Sequence, residues 1–416
     1  MLLGVMADRS GTQLLAELRS DPAAAPLLER LPADITVHVV GGAVRDLLLG
    51  RRLVDLDLVV EGDAPALARR IDAATVRVHE RFGTAEVELG GHEYDLAGAR
   101  RERYPEPGAL PEVEPAPLAE DLARRDFTVN AMALALSGPS PGRLAAYPGA
   151  REDLASKQLR ILHDRSFRDD PTRLFRIARY ASRLRFEIEP HTRDLASEAI
   201  AGQALQTVSG ERIGAELRLL AQEPDPVAAF GAMSGLGLDD AVAPGFGVHD
   251  AALLGAALAL LPPDGRGDLL VLGGAVAGID AGAARALLEF LGFEAHDRET
   301  ILAVGRNGST AAHALESAAS ASEIAGVLAS QPVEVAALAA ALGAREPAQR
   351  WITELRHVRL AIDGRDLLAA GVPEGPGIGR GLRAALAAKL DGHAVDPAAE
   401  LACALGSARE PDRDGG

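Results

Sequence analysis

The spacing of apolar and polar positions changes character near Asp126. Before it, short apolar runs of period two are separated by glycine, proline and acidic residues; after it, apolar residues recur at helical spacing. Leu14, Leu15 and Leu18 predict a first helix that stops near Asp21-Pro22. Residues 35–40 read as a strand, Gly41-Gly42 as a tight turn, and 44–49 as a helix closed by Gly50. A second strand is expected over 52–60, a helix over 64–73, and further strands over 76–79, 84–89 and 93–97. Five prolines between Arg103 and Pro117, together with Gly108, predict a long mobile loop, because proline suits neither a helix interior nor a central strand. Helices are expected over 168–185, 191–201, 211–221 and 226–233, and Ala/Leu-rich segments continue to about residue 387. The fold class is therefore α+β, a mixed sheet with helices followed by an all-helical remainder. No fixed-period repeat stands out, and the polar, Gly/Pro-rich residues 407–416 are expected to fray.

Composition narrows the class. A chain of 416 residues is long enough for several packed units, and 48% apolar with 25% charged residues excludes a disordered or collagen-like polymer. The single cysteine, Cys403, cannot form an intrachain disulfide, and no Cys/His cluster has zinc-site spacing, so a reducing cytoplasmic setting is expected. The N-terminal residues lack a basic patch followed by an apolar core. Apolar runs such as 251–261 fall short of the ~18 residues of a membrane span. Neither export nor membrane insertion is expected. A net charge of −17 repels polyanions at long range, so a nucleic-acid partner must meet a local basic surface.

Several segments carry candidate chemistry. Gly41-Gly42-Ala43-Val44-Arg45-Asp46 joins a strand to a helix, where residues without Cβ let backbone donors approach a phosphate and Arg45 adds a fork of donors. Asp55 and Asp57 alternate with Leu56 and Leu58, so period two places both carboxylates on one strand face. Such a pair is either a solvated surface or a set of hard oxygen ligands for Mg²⁺; a phosphate-turn candidate just before it favours the metal. Asp95, or Glu93 on the same face, offers a third carboxylate. Three carboxylates can hold two metal ions for in-line phosphoryl transfer. In the run 121–131, Asp126 or Thr128 reads as a helix cap, while Arg125 and Asn130 become nucleotide contacts if they face bound phosphate and ribose.

The last segment is Asp169-Asp170-Pro171-Thr172-Arg173-Leu174-Phe175-Arg176-Ile177-Ala178-Arg179. Steps of three on a helix fan Arg173, Arg176 and Arg179 over about 120°, with Ile177, Ala181 and Leu184 opposite. An arginine stripe without interleaved acids repels itself unless an anion lies on it, which points to a triphosphate or an RNA backbone.

The glycine turn with the Asp55–Asp57 pair, the run Arg124-Arg125-Asp126-Phe127-Thr128-Val129-Asn130-Ala131 and the segment 169–179, in this order within roughly residues 37–220, resemble the class II tRNA nucleotidyltransferases (CCA-adding enzymes) and bacterial poly(A) polymerases. The resemblance implies a polymerase-beta-like nucleotidyltransferase head over 1–154, a helical neck over 155–222, a body over 223–330 and a tail over 331–416. It implies that Gly41, Gly42 and Arg45 hold the triphosphate, that Asp55 and Asp57 bind Mg²⁺ with Asp95 as a third catalytic carboxylate, and that Arg125 and Asn130 contact the nucleotide. It further implies that Asp170 and Arg173 read the Watson–Crick edge of CTP or ATP, with Arg176 and Arg179 supporting them. The expected partners are the tRNA 3′ end, CTP and ATP. The expected reaction is addition of C, C and A. An A-adding enzyme sharing the work with a CC-adding partner is the nearest alternative, a catalytically idle tRNA-binding protein the alternative from another class. The proline-rich segment corresponds to the family's flexible loop, which enzymes restricted to CC addition tend to lack. Asp169 stands where the family commonly has Glu, and His249-Asp250 lacks the companion histidines of an appended phosphohydrolase domain.

Overall fold

The computed structural model describes residues 9–53, 56–79 and 83–409. Its N-terminal part is organised by a seven-stranded mixed sheet. The strands are β1 (Val37–Val40), β2 (Asp57–Val60), β3 (Thr75–His79), β4 (Thr84–Leu89) and β5 (His92–Gly98), then, beyond a separate ribbon of β6 (Arg100–Arg103) and β7 (Glu112–Pro115), β8 (Met132–Ala135) and β9 (Leu144–Ala146). The order across the sheet is β3-β4-β5-β2-β1-β8-β9. β1 and β8 are buried at every position, as expected of strands covered on both faces; the one polar residue among them, His38, has its Nε2 2.6 Å from Glu61 Oε1. β2 and β5 run parallel with Asp57 opposite Asp95, while the other neighbours are antiparallel. The strand expected over 52–60 is seen from Asp57; Val54 and Asp55 lie outside the described residues.

The turn after β1 forms as its two glycines predict. Gly41 adopts φ 69°, a left-handed conformation natural to glycine, and a helix follows over Gly42–Leu48.

Two expectations are corrected. The segment 103–117 is not a free loop: β6 and β7 pair antiparallel, with Arg101 opposite Glu114 and Arg103 opposite Glu112, and both pairs form ion pairs. Pro115 is accommodated because each strand of a two-stranded ribbon is an edge, where a missing donor leaves no ladder position empty. The tip is also fastened. Gly108 is buried, its N–H donates to the Asp169 carbonyl at 3.2 Å, and its own carbonyl accepts from Arg212 at 2.7 Å.

The helix expected over 168–185 is two helices, Ser166–Asp169 and Arg173–Leu184. Pro171 disfavours helical backbone at the residue before it, and Asp170 is extended at φ −136°, ψ 94°. The freed Asp170 carboxylate accepts from the Thr172 amide at 3.1 Å and hydroxyl at 2.7 Å. A smaller difference is that Ser407 lies in the helix Pro397–Ala408 rather than in a frayed end.

The chain divides into two compact units, one of residues 1–216 with 235–241 and one of 217–234 with 242–416. The second is helical throughout its described residues and packs closely through small side chains. A Cβ on Gly273 would meet Val304 Cβ at 2.4 Å, and one on Gly308 would meet Leu338 at 2.4 Å. Its buried carboxylates serve backbone and lysine: Glu334 accepts from the Arg266 amide at 2.6 Å, and Glu400 from Lys389 at 2.6 Å. Among the described residues no single helix is long and apolar enough to cross a membrane.

Candidate active site

One cleft of about 360 Å³ in the first unit gathers most of the residues singled out from the sequence. Gly41 and Gly42 come from the turn after β1, Asp57 from the start of β2, Arg125 and Asn130 from the segment before β8, and Asp170, Arg173 and Arg176 from the broken helix. Arg125 approaches the glycine turn so closely that a Cβ on Gly41 would stand 2.8 Å from its Nη1.

Arg45 and Arg179 do not line this cleft; they support it. Arg45 is buried, donates from Nη1 to Asn130 Oδ1 at 2.6 Å and spans both oxygens of Asp46 at 3.0 and 2.9 Å. Asn130 in turn donates to Asp126 Oδ1 at 3.0 Å, and the other oxygen of Asp126 takes the Arg176 guanidinium at 2.5 Å. Glu216, from the helix beginning at Gly210, reaches Arg176 at 3.9 Å and Arg179 at 3.5 Å. Charges thus alternate from Asp46 to Arg179 beneath the cleft floor.

This network corrects the reading of the arginine stripe. Two of its three positive charges, on Arg176 and Arg179, are offset by protein carboxylates from distant segments, while Arg173 is held by a hydroxyl and a backbone carbonyl. Burial alone would push the Asp126 carboxyl up, but Arg176, with Asn130 and Arg173, holds it below the usual range. Glu216 goes the other way: burial raises its carboxyl against the pull of Arg179 and Arg176. Tyr180 packs among the same groups, its ring centre 5.5 Å from the Arg45 guanidinium carbon and 5.6 Å from that of Arg179.

Where the broken helix meets the cleft, Arg173 is buried and donates to Ser166 Oγ at 2.6 Å and to the Arg124 carbonyl at 3.1 Å. Arg212 donates to Asp170 Oδ1 at 2.9 Å. Each member of the Asp170–Arg173 pair is therefore braced by a neighbour, with both still on the cleft wall.

Asp95 lies outside this cleft and lines an adjoining depression together with Asp57 and Glu93. Parallel register puts Asp57 and Asp95 side by side on adjacent strands, and both are exposed. These are hard oxygen donors of the kind a small divalent cation takes, with positions left for water and phosphate oxygens. Among the described residues no group of three or more ligands gathers; Asp55 lies outside them.

Residues that sequence reasoning did not single out also form the walls: Glu102, Tyr104, Thr172, Tyr180 and Glu216. Glu102 immediately precedes the segment read as a loop, and Tyr104 lies within it. The alternation Arg100-Arg101-Glu102-Arg103 against Glu112-Val113-Glu114 was the available signal for a ribbon there.

The poly(A) polymerase head domain family matches residues 37–160. The chain is 45% identical over 210 residues to an A-adding tRNA nucleotidyltransferase of Geobacter sulfurreducens, covering 49% of this chain and 24% of that one. It is 39% identical over 241 residues to a CC-adding tRNA nucleotidyltransferase of Deinococcus radiodurans, covering 56% of this chain and 63% of that one. The chain thus spans only part of the length of these relatives. Among solved structures, a CCA-adding enzyme in an apo form superposes with a TM-score of 0.82 at 28% identity, over 96% of this chain and 99% of that one. Fold and site define a nucleotidyltransferase head joined to a helical remainder. The chain belongs to the class II tRNA nucleotidyltransferase and bacterial poly(A) polymerase family.

Proposed function

We propose that this protein adds C, C and A to the 3′ end of tRNA from CTP and ATP. The observation that carries the reading is the convergence in one cleft of the glycine turn, Asp57, Arg125 and the Asp170–Arg173 pair. In this reading the tRNA 3′-hydroxyl attacks the α-phosphate in line, one P–O bond forms as the bond to pyrophosphate breaks, and positioning supplies most of the catalysis. Gly41 and Gly42 admit the triphosphate close to the backbone, and Arg125 offsets its charge. Asp57 and Asp95, with Asp55, would hold Mg²⁺, which when bound neutralises phosphate charge and lowers the pKa of the attacking hydroxyl. Arg45 acts through Asn130, keeping its amide turned toward Asp126, and Arg176 and Arg179 hold the floor. Asp170 and Arg173 present an acceptor and donors side by side, as a complementary base edge does.

The head, neck, body and tail boundaries at residues 154, 222 and 330, and a cytoplasmic location, belong to the same reading. Whole-chain likeness to an enzyme described as CCA-adding supports full CCA addition. A second reading, A addition alone, is favoured by the A-adding description of the Geobacter relative.

Purified protein incubated with tRNA ending before CCA, after its first C or after its second C, with CTP or ATP supplied separately, decides between them. Incorporation of C on the first two acceptors and A on the third is expected. Incorporation of A alone establishes the second reading. No incorporation on any acceptor overturns both.

A further inference from the structure

Tyr104 follows β6 and stands on the wall of the cleft with Asp170 and Arg173. Its hydroxyl donates to the Glu102 carboxylate at 3.2 Å. Glu102 is 9% exposed and also takes the Arg124 guanidinium at 2.6 Å. A carboxylate engaged by guanidinium only accepts, so the single hydrogen of Tyr104 is committed to Glu102 and its oxygen has only lone pairs to offer the cleft. Burial is the main influence pushing this phenol up, to about 12, with Arg173 opposing and Glu102 and Asp170 reinforcing. It remains a neutral hydroxyl at physiological pH, within the electrostatic reach of both base-reading side chains.

The segment is held at two places. Glu102–Arg124 fastens its start, and at its tip Arg212 donates to the Gly108 carbonyl at 2.7 Å while reaching Asp170 at 2.9 Å. Tyr104 is thereby presented from a braced support.

Resting on the nucleotidyltransferase reading, we propose that Tyr104 is a specificity-determining residue that accepts a hydrogen bond from the exocyclic amino group shared by cytosine and adenine. Uracil and guanine carry a carbonyl oxygen at the corresponding edge position, which would set lone pair against lone pair. The hydroxyl thus adds a second acceptor to the one Asp170 offers, and reinforces the discrimination that the Asp170–Arg173 edge makes against uracil and guanine.

The test measures equilibrium binding of CTP, UTP, ATP and GTP to the full chain, and incorporation of each onto the three tRNA acceptors. It compares wild type, Tyr104→Phe and Tyr104→Leu. Tyr104→Phe is expected to narrow the preference for CTP over UTP, and for ATP over GTP, by about 10- to 100-fold in both measurements. Unchanged preference in Tyr104→Phe overturns the proposal. So does preference kept by Phe but lost by Leu, since the ring would then be responsible. If wild type transfers nothing to any acceptor, the function reading fails, while the binding ratios still decide the role of Tyr104.

Discussion

The Arg176 guanidinium closes on the buried Asp126 carboxylate at 2.5 Å, joining the arginine helix to the segment that precedes β8. Removing the carboxylate leaves Arg176, whose side chain is 32% exposed, with Glu216 at 3.9 Å as its remaining partner. Asp126→Asn should destabilise the protein by about 1–3 kcal/mol, measured as a lowered urea midpoint at neutral pH. The sign with pH follows from the depressed Asp126 carboxyl. Its stabilisation is fully present above the ordinary aspartate value and is lost as pH falls through the lower folded value. The gap between wild type and variant should therefore close on acidification, and a gap independent of pH would contradict the pairing.

Glu216 should behave oppositely. Its folded carboxyl sits above the ordinary value of 4.5, so the folded state holds the proton more firmly than the unfolded chain and stability falls as pH rises through that window. Glu216→Gln removes this dependence. The variant should gain on wild type as pH rises from about 4.5 toward neutrality; a difference that stays flat or shrinks sinks the assignment.

Asp57 carries the metal assignment within the described residues. Asp57→Asn should reduce nucleotide incorporation at least about 100-fold, the scale of losing one electrostatic partner of a transition state. Because Asp57 is exposed, thermal stability should change by no more than about 0.5 kcal/mol. Undiminished incorporation across a magnesium titration would remove Asp57 from the site.

Gly108→Ala tests the fastening of the ribbon. Gly108 has φ 72°, and a Cβ there would meet Thr207 Oγ1 at 2.2 Å and its carbonyl oxygen at 2.5 Å. The substitution should release the tip and speed proteolytic cleavage between residues 104 and 111 severalfold, with the global unfolding midpoint changed far less. Equal cleavage rates in both proteins would show the tip to be loose already.

Local chemistry explains which parts were readable. The turn at Gly41-Gly42, the strands over 84–89 and around Asp95, and the helices starting near 191, 211 and 226 follow from glycine, period-two alternation and capping, all properties of adjacent residues. The ribbon was obscured because proline density speaks against strands in general, whereas an isolated two-stranded ribbon has only edges. The break at Pro171 was passed over because apolar periodicity continues on either side of it. Membership of the cleft was largely legible too, since three segments each carried their own chemical signature.

The sequence by itself determined most of the elements, their order and the residue types brought to the cleft, because backbone preference and side-chain chemistry are local. Only the tertiary structure decided which charges meet. Arg45 turned inward to Asn130, the arginine stripe found Asp126 and Glu216, and Tyr104 and Glu102 were carried to the cleft wall. Each of these contacts joins residues that packing brings together. The low dielectric of the buried floor favours charges that find an opposite charge or a polar group, wherever along the chain that partner lies.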